Sequence, residues 1–371
     1  MRHSTLLRHL AIMAACAVLL LGVTFALDPF RDYQLATAAA YLCAAAGLTV
    51  LAGQSGQLSL GHGAVMAIGG YTVALVQNQF GAHNVATQWA LLGSLAAGIC
   101  VAAVAGAVIG VAAARLRGPY LAGLTLVVAV AVPSIGTLWH SVFHGDQGLS
   151  VYLLPAPAAL GETFPLERWQ AWLAVIAALL TMLLLGNLTS GRFGRTMRAV
   201  RDDEIAAKLA GINVARTQVV AFVVSAACAG LGGGMLAVLA QSVSPGAYQF
   251  TLSLNLLLAV VVGGLGSLTG AVWGSILLVL LPWLADNLTN SLIHSPAMQQ
   301  RLAGNLSLAI FGLLLVVVMI AAPGGIQGLL NRAGRRVRGR LHGRGAYRAE
   351  PSALDAEPHA PVASRTSIPN P

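Results

Sequence analysis

The chain has 371 residues, of which 57% are hydrophobic and 9% are charged, and its mean hydropathy is +0.77. Soluble domains carry about 25% charged residues, so this composition excludes a soluble globular protein. The formal net charge of +9 is placed in a way that indicates orientation in a membrane, and it does not point to a nucleic-acid partner. We therefore predict an all-α, polytopic membrane protein.

Apolar runs of about 17 to 25 residues predict membrane-spanning helices. Ten runs are found, of which the eighth is short, at roughly 10–27, 34–52, 63–80, 88–114, 119–139, 169–187, 217–241, 252–264, 267–289 and 303–322. The first run is predicted to be an uncleaved span, with a cleaved signal peptide as the alternative. Residues 10–322 are thus the predicted membrane domain, preceded by residues 1–9. Residues 323–371 form a basic, then Pro- and Ala-rich tail that we expect to be disordered.

The distribution of positive charge predicts the orientation of these spans. With the N-terminus in the cytoplasm, all but three of the 21 Lys and Arg residues lie in inner segments, and the three outer ones are Arg31, Arg168 and Arg301. Inner loops carry an excess of Lys and Arg, so ten spans with both termini cytoplasmic is the predicted topology. The first five and last five spans then have opposite orientations, which makes a five-plus-five inverted repeat possible.

The stretch "GQSGQLSLGHG", Gly53 to Gly63, precedes the third predicted span. Its glycines allow close backbone approach, and irregular polar backbone at membrane depth is tolerated only against protein or a water-filled cavity. We interpret it as part of a solute pathway, with a tightly packed cytoplasmic turn as the alternative. The candidate pathway residues are Gln54, Ser55, Gln57, Ser59 and His62, the last as a neutral hydrogen-bonding group and not a metal ligand.

Charge is concentrated within a predicted inner loop at 188–216, which contains Lys208, the only lysine of the chain. Asp202 or Asp203 is placed to cap a short helix, and Gly211 suits the residue after its end. Glu204 and Lys208 have the i, i+4 spacing of a favourable pair. The sequence therefore predicts a short helix at the inner surface.

Ile205 and Leu209 share one face of this helix, and Arg195, Arg198 and Arg201 recur every three residues before it. An apolar stripe with a charged rim is suited to docking on another protein. A basic loop against anionic lipid headgroups is the alternative, although the adjacent acids at 202–204 fit a lipid contact poorly.

Several kinds of chemistry are disfavoured by the sequence. The only lysine follows Ala207, so the Gly-Lys-Ser/Thr core of an ATP-binding P-loop is missing, as are H-E-x-x-H and G-x-S-x-G. The spans also lack the buried acids and lysines that proton-coupled transport uses. We predict no catalytic residues, no metal site and no cofactor.

The sequence resembles the permease subunits of branched-chain amino-acid ABC importers, of the LivM type. The resemblance is carried in order by "GQSGQLSLGHGAVMAIGGY", "LRGPYLAGLTL", "GRFGRTMRAVRDDEIAAKLAGINVARTQVVAF", "VVVGGLGSLTGAVWGSILL" and "APGGIQGLL". It implies a multi-pass protein of the bacterial inner membrane, assembled with a paralogous permease, two cytoplasmic ATPase subunits that bind the ATP, and a periplasmic solute-binding protein. It also implies a coupling helix that docks on an ATPase and includes Glu204, Ala206, Ala207 and Gly211.

Permeases of urea and short-chain amide importers are close relatives of this family, so the solute is open between these classes. The family usually has a TGG-x-DGL-like stretch in its long outer loop. Here "VFHGDQGLS" keeps Gly145, Asp146, Gly148 and Leu149 without the leading glycine pair. The scarcity of charge in the spans favours a small, mostly uncharged or zwitterionic solute. A self-sufficient channel or secondary carrier is the alternative from another functional class.

Overall fold

The computed structural model describes residues 2–83, 87–116, 119–152, 155–157, 160–161, 164–292, 312–313, 316–317, 320 and 324–332. The chain divides into two compact units, Met1–Leu329 and Leu330–Pro371. Residues 325–332 are helical, and the rest of the predicted tail lies outside the described residues.

Helices dominate the described part of the chain. They are α1 (Arg2–Val23), α2 (Pro29–Leu48), α3 (His62–Ala82), α4 (Gln88–Ala113), α5 (Pro119–Leu138), α6 (His140–Phe143), α7 (Leu166–Ser190), α8 (Arg192–Asp202), α9 (Glu204–Leu209), α10 (Val214–Ala240), α11 (Phe250–Gly264) and α12 (Leu268–Leu292). A π-helical turn, Thr49–Gln54, extends α2. The predicted all-helical class is confirmed, apart from two strands of two residues each.

Six helical segments in the described residues are long and apolar enough to cross a membrane. They are Pro29–Gln54, Gln88–Ala113, Tyr120–Leu138, Leu166–Ser190, Val214–Ala240 and Pro245–Gly264. Shorter apolar helical stretches are Met13–Val23 and Leu268–Leu284. A polytopic membrane protein is thereby confirmed, whereas the count of ten spans stays a prediction. The tenth predicted span, 303–322, lies almost wholly outside the described residues.

Apolar stripes on α4 and α7 face outward. Val104, Val108 and Val111 of α4 are 65%, 68% and 51% exposed, and Leu180 and Leu184 of α7 are 52% and 66% exposed. These residues recur at three- and four-residue spacing, so each set lies on one side of its helix. Such stripes suit contact with lipid.

The centre of the bundle is α10, which packs against α4, α3 and α2. Small residues mark these interfaces, since Gly230 lies against Gly98 of α4 and Gly232 lies against Ala40 of α2. Helices in membranes associate through such small-residue contacts because lipid gives no hydrophobic driving force between them.

The end of the bundle at which α10 finishes is closed by a short ladder. β1 (Leu149–Ser150) pairs antiparallel with β2 (Ser242–Val243), with Leu149 opposite Val243. The Asn78 side-chain amide donates to the Ser150 carbonyl at 2.6 Å. This ladder holds the loop after α6 against the start of the segment that leads to α11.

Two glycines of α4 should differ sharply in their tolerance of a side chain. A Cβ on Gly106 would overlap Ala226 and lie 2.9 Å from the Phe222 carbonyl oxygen, whereas a Cβ on Gly93 would meet nothing within 4 Å. Overpacking a close interface costs about 1–3 kcal/mol. We expect Gly106→Leu to lower the thermal unfolding midpoint of the detergent-purified protein, with Gly93→Leu as the matched control. Equal midpoints for the two variants would contradict the α4–α10 packing described here.

Candidate coupling and solute-pathway site

The charged segment after α7 folds into two helices separated by one extended residue. Asp203 has φ −156° and ψ 110°, which ends α8 and begins α9. Its side-chain Oδ1 accepts hydrogen bonds from the amides of Ile205 at 2.8 Å and Ala206 at 3.0 Å. A helix leaves its first amides unsatisfied, and an aspartate at this position supplies the acceptor. Of the two residues predicted as caps, Asp202 and Asp203, it is therefore Asp203 that caps α9.

The other end of α9 is closed by a left-handed glycine. Gly211 has φ +81°, a conformation that glycine adopts without the steric cost of a Cβ. Its amide donates to the Lys208 carbonyl, and the Ile212 amide donates to the Ala207 carbonyl, both at 3.0 Å. This is the hydrogen-bond pattern of a Schellman motif. Ala207 is buried, and Ile212 packs with it against Val200, so α9 is held at both ends.

The outward face of α9 is apolar and uncovered. Ile205 is 73% exposed and Leu209 is 86% exposed, and the neighbouring Ala206 and Lys208 are also exposed. The Glu204 carboxylate accepts a hydrogen bond from the Gln218 side-chain amide at 3.0 Å, which ties α9 to α10. The predicted Glu204–Lys208 pair stays a prediction.

Two of the three predicted rim arginines of α8 turn inward. Arg198 Nη1 donates to Gln54 Oε1 at 3.0 Å and to the Thr189 carbonyl at 3.3 Å. Arg201 Nη1 donates to the Gly53 carbonyl at 2.6 Å, and its other nitrogens bind Asp202 Oδ1 at 2.9 and 3.0 Å. Arg195 is exposed. The arginines of α8 thus anchor it to the turn that follows α2.

The same turn contacts the connection between α11 and α12. Gln54 Nε2 donates to the Gly266 carbonyl at 2.8 Å. Gly53 lies so close to Gly266 that a Cβ on Gly53 would overlap the Gly266 backbone, and Gly266 itself has φ +83°. We call Gly53, Gln54, Arg198, Arg201 and Gly266 the glycine junction. It joins three segments that are far apart in sequence, within a turn of the π-helical type that is often found at functional sites.

Comparison with known proteins decides the functional class of this protein. The family model described as "Branched-chain amino acid transport system / permease component" matches residues 31–322. The chain belongs to this family. The permease is therefore a multi-pass transport subunit of the ABC type and not an enzyme, and in this family ATP is bound by partner ATPase subunits.

Individual relatives are also named as permease proteins of transport or import systems. The permease is 31% identical to the high-affinity branched-chain amino acid transport system permease protein LivM of Escherichia coli, over 78% of this chain and 67% of that protein. It is 24% identical to the corresponding LivH of Salmonella typhimurium, over 78% and 91% of the two chains. It is 29% identical to the fructose import permease protein FrcC of Rhizobium meliloti, over 50% and 52%. No solved structure matches at a significant level.

The remaining predicted pathway residues of the permease are buried. Ser55, Gln57, Ser59 and His62 are each at most 5% exposed. His62 Nε2 lies 3.1 Å from the Ala44 carbonyl oxygen, and because a carbonyl can only accept, this nitrogen carries the proton. These side chains lie inside the bundle, and their contact with a solute stays a prediction.

Ser59 and His62 line a small buried cavity of about 10 Å³, together with Thr125 and Ser225. This is about the smallest space that holds one water molecule. Within the described part of the chain, the hydroxyl of Ser225 has no hydrogen-bond partner. Thr125 Oγ1 also accepts from the Leu60 amide at 3.0 Å, so α5 is fixed to the polar stretch that precedes α3.

Two residues of this site, Gln218 and Thr189, are not singled out by the sequence, and a third, Gly266, is predicted to have a different role. Gly266, Gly270 and Gly274 recur every four residues, a spacing that predicts helix packing, but nothing local indicates that Gly266 binds Gln54. Gln218 and Thr189 lie inside or at the end of apolar helices, and no pattern marks them as partners of Glu204 and Arg198. Such contacts depend on tertiary structure and not on local spacing.

Removal of the Asp203 cap should loosen α9 specifically. Loss of an N-cap aspartate costs about 1 kcal/mol, which is roughly a fivefold change in an opening equilibrium. We expect Asp203→Ala to speed amide hydrogen exchange across Glu204–Leu209, with α10 unchanged. Asp203→Asn keeps an acceptor and is the control. Unchanged exchange in Asp203→Ala would show that the cap does not hold this helix.

Proposed function

We propose that this permease moves branched-chain amino acids, or a related small zwitterionic solute, inward as one membrane subunit of an ATP-driven importer. The solute class is supported by the family and by relatives whose names specify branched-chain amino acids. The observation that carries the coupling role is the exposed apolar face of α9, formed by Ile205 and Leu209. A short helix capped at both ends gives that face a fixed shape.

The proposed topology has ten spans, a possible five-plus-five inverted repeat and both termini in the cytoplasm of a bacterial inner membrane. It is supported by the six long apolar segments and by the concentration of Lys and Arg in the predicted inner segments. The loop at 188–216 then faces the cytoplasm, where ATP is available to a partner.

The proposed partners are a paralogous permease, two cytoplasmic ATPase subunits and a periplasmic solute-binding protein. A second membrane subunit is supported by the relatives, which include two differently named permease proteins of branched-chain amino acid transport systems, LivM and LivH. Membrane lipid is the other proposed contact of the outward stripes.

Force is proposed to enter through α9 and to leave through the glycine junction. An ATPase that moves α9 also moves α8, to which it is directly joined, and Arg198 and Arg201 transmit that movement to Gln54 and Gly53. From there it reaches α2 and, through Gly266, the start of α12. The buried polar residues Ser55, Gln57, Ser59 and His62 lie next in the chain, where we place the inner part of the solute path.

The proposal is tested in liposomes that contain this chain alone or with a second permease, two ATPase subunits and a solute-binding protein from the same genome. We expect ATP-dependent leucine uptake only in the full assembly. Uptake by the chain alone would support the channel or secondary carrier. Uptake of urea or a short-chain amide without leucine uptake would support that second class of solute.

Leu209 offers a sharper test of docking because its side chain is 86% exposed and supports little of the fold. A charge placed in an apolar contact removes an anchor worth more than 1 kcal/mol, which is about a tenfold change in affinity. We expect Leu209→Asp to reduce ATPase co-purification and leucine uptake about tenfold without lowering thermal stability. Leu209→Met keeps the apolar contact and is the control. Normal ATPase recovery in Leu209→Asp would argue against docking through α9.

A further inference from the structure

A second cavity lies at the opposite end of the bundle from α8 and α9. It has a volume of about 500 Å³ and is bounded by α5, by the short 3-10 turn Gly145–Gln147 and by the segment at the start of α11. We call it the outer cavity. Sites for small molecules commonly have volumes of about 300–1,000 Å³ and combine apolar walls with a few polar groups. The lining of the outer cavity has this composition.

One side of the outer cavity is electronegative. Asp146 lines it, and within the described residues no hydrogen bond or ion pair engages the Asp146 carboxylate. Pro133, inside α5, also lines it. Proline has no amide hydrogen, so it cannot close the helical bond to the carbonyl of Ala129, another lining residue. An ammonium group is a natural partner for the exposed Asp146 carboxylate.

The position of Asp146 is fixed by the backbone around it. Gly145 and Gly148 are buried, and their φ angles are +62° and +71°. The Gly148 amide donates to the Gly145 carbonyl at 3.1 Å, and β1 follows at once. The carboxylate is therefore presented from a tight turn that the ladder holds in place.

The other side of the outer cavity offers donors and apolar surface. Gln249 and Phe250 line it where the 15-residue helix α11 begins, and the first amides of a helix attract a carboxylate. Ser134 and Thr137 contribute hydroxyl oxygens, although both hydroxyls donate to carbonyls of their own helix. Pro133 and Phe250 supply apolar surface between the two polar sides.

We propose that the outer cavity binds the solute itself, as a zwitterionic amino acid with an aliphatic side chain. The α-ammonium group contacts Asp146, the α-carboxylate contacts the start of α11, and the side chain packs on Pro133 and Phe250. This inference rests on the proposed function and adds to it where the solute first meets the permease. It also separates amino acids from urea, because an uncharged solute gains little from Asp146.

The first experiment measures leucine uptake and ATP hydrolysis by the complete complex in liposomes. Loss of a hydrogen bond to a charged group costs about 1.5–3 kcal/mol, so we expect Asp146→Asn to reduce uptake at least about tenfold. Hydrolysis stimulated by the binding protein should stay normal. Asp28→Asn is the matched control, since Asp28 is exposed at the same end of the bundle and does not line the outer cavity.

The second experiment measures binding of radiolabelled leucine to the purified complex without its binding protein. We expect the wild-type complex to prefer leucine over 4-methylpentanoate, which lacks the ammonium group, and Asp146→Asn to lose this preference. Gly246→Leu fills the cavity and should abolish binding. An added Cβ there meets only the Ser244 hydroxyl, at 4.0 Å, so this variant should fold normally.

The outcomes separate the two proposals. Normal uptake and normal leucine binding in Asp146→Asn and Gly246→Leu would overturn the outer cavity as a solute site and leave the proposed function standing. Unchanged leucine binding with lost stimulation of ATP hydrolysis would also overturn it, because Asp146 would then contact the binding protein. If the wild-type complex imports neither leucine nor another small zwitterionic solute, the proposed function itself fails.

Discussion

The structure depends on a contact between two backbones, at Gly53 and Gly266, that no residue with a Cβ permits. The contact extends to a third segment, α8. The Gln54 side chain donates to the Gly266 carbonyl and accepts a hydrogen bond from Arg198 of α8. Arg198 reaches the Gln54 Oε1 atom, and Arg201 reaches the Gly53 carbonyl, only if α8 lies against the turn after α2. The same contacts therefore pack three distant segments together and fix the position of α8 and α9, which together form the coupling segment.

This constraint divides the coupling segment into two functional sides. The inward side is polar and specific, because arginines of α8 donate to backbone and amide oxygens of the bundle. The outward side is apolar and unsatisfied, because Ile205 and Leu209 of α9 find no partner within the described chain. A rigid helix with one bonded side and one free apolar side can transmit the movement of a partner, whereas a flexible loop would absorb it.

Local features of the fold could be predicted from the sequence, and long-range contacts could not. The acid cap and Gly211 follow from rules that operate within six or seven residues, and the structure confirms both. The three-residue spacing of Arg195, Arg198 and Arg201 predicts a helix face but not its partner, so the inward turn of two of them was missed. The role of Gln54 on a solute path stays a prediction, and no local pattern indicates that its amide joins segments 144 and 212 residues away along the chain.

The central claim is that movement of α8 reaches the bundle through the bond between Arg198 and Gln54. A double-mutant cycle measures it directly, with the number of leucine molecules imported per ATP hydrolysed by the reconstituted complex as the readout. If the two residues act as one connection, Gln54→Ala and Arg198→Ala each reduce this ratio about tenfold. The ratio of the double variant is then no lower than that of the more impaired single variant. Ratios equal to wild type in both single variants, or losses that add fully in the double variant, would contradict the account.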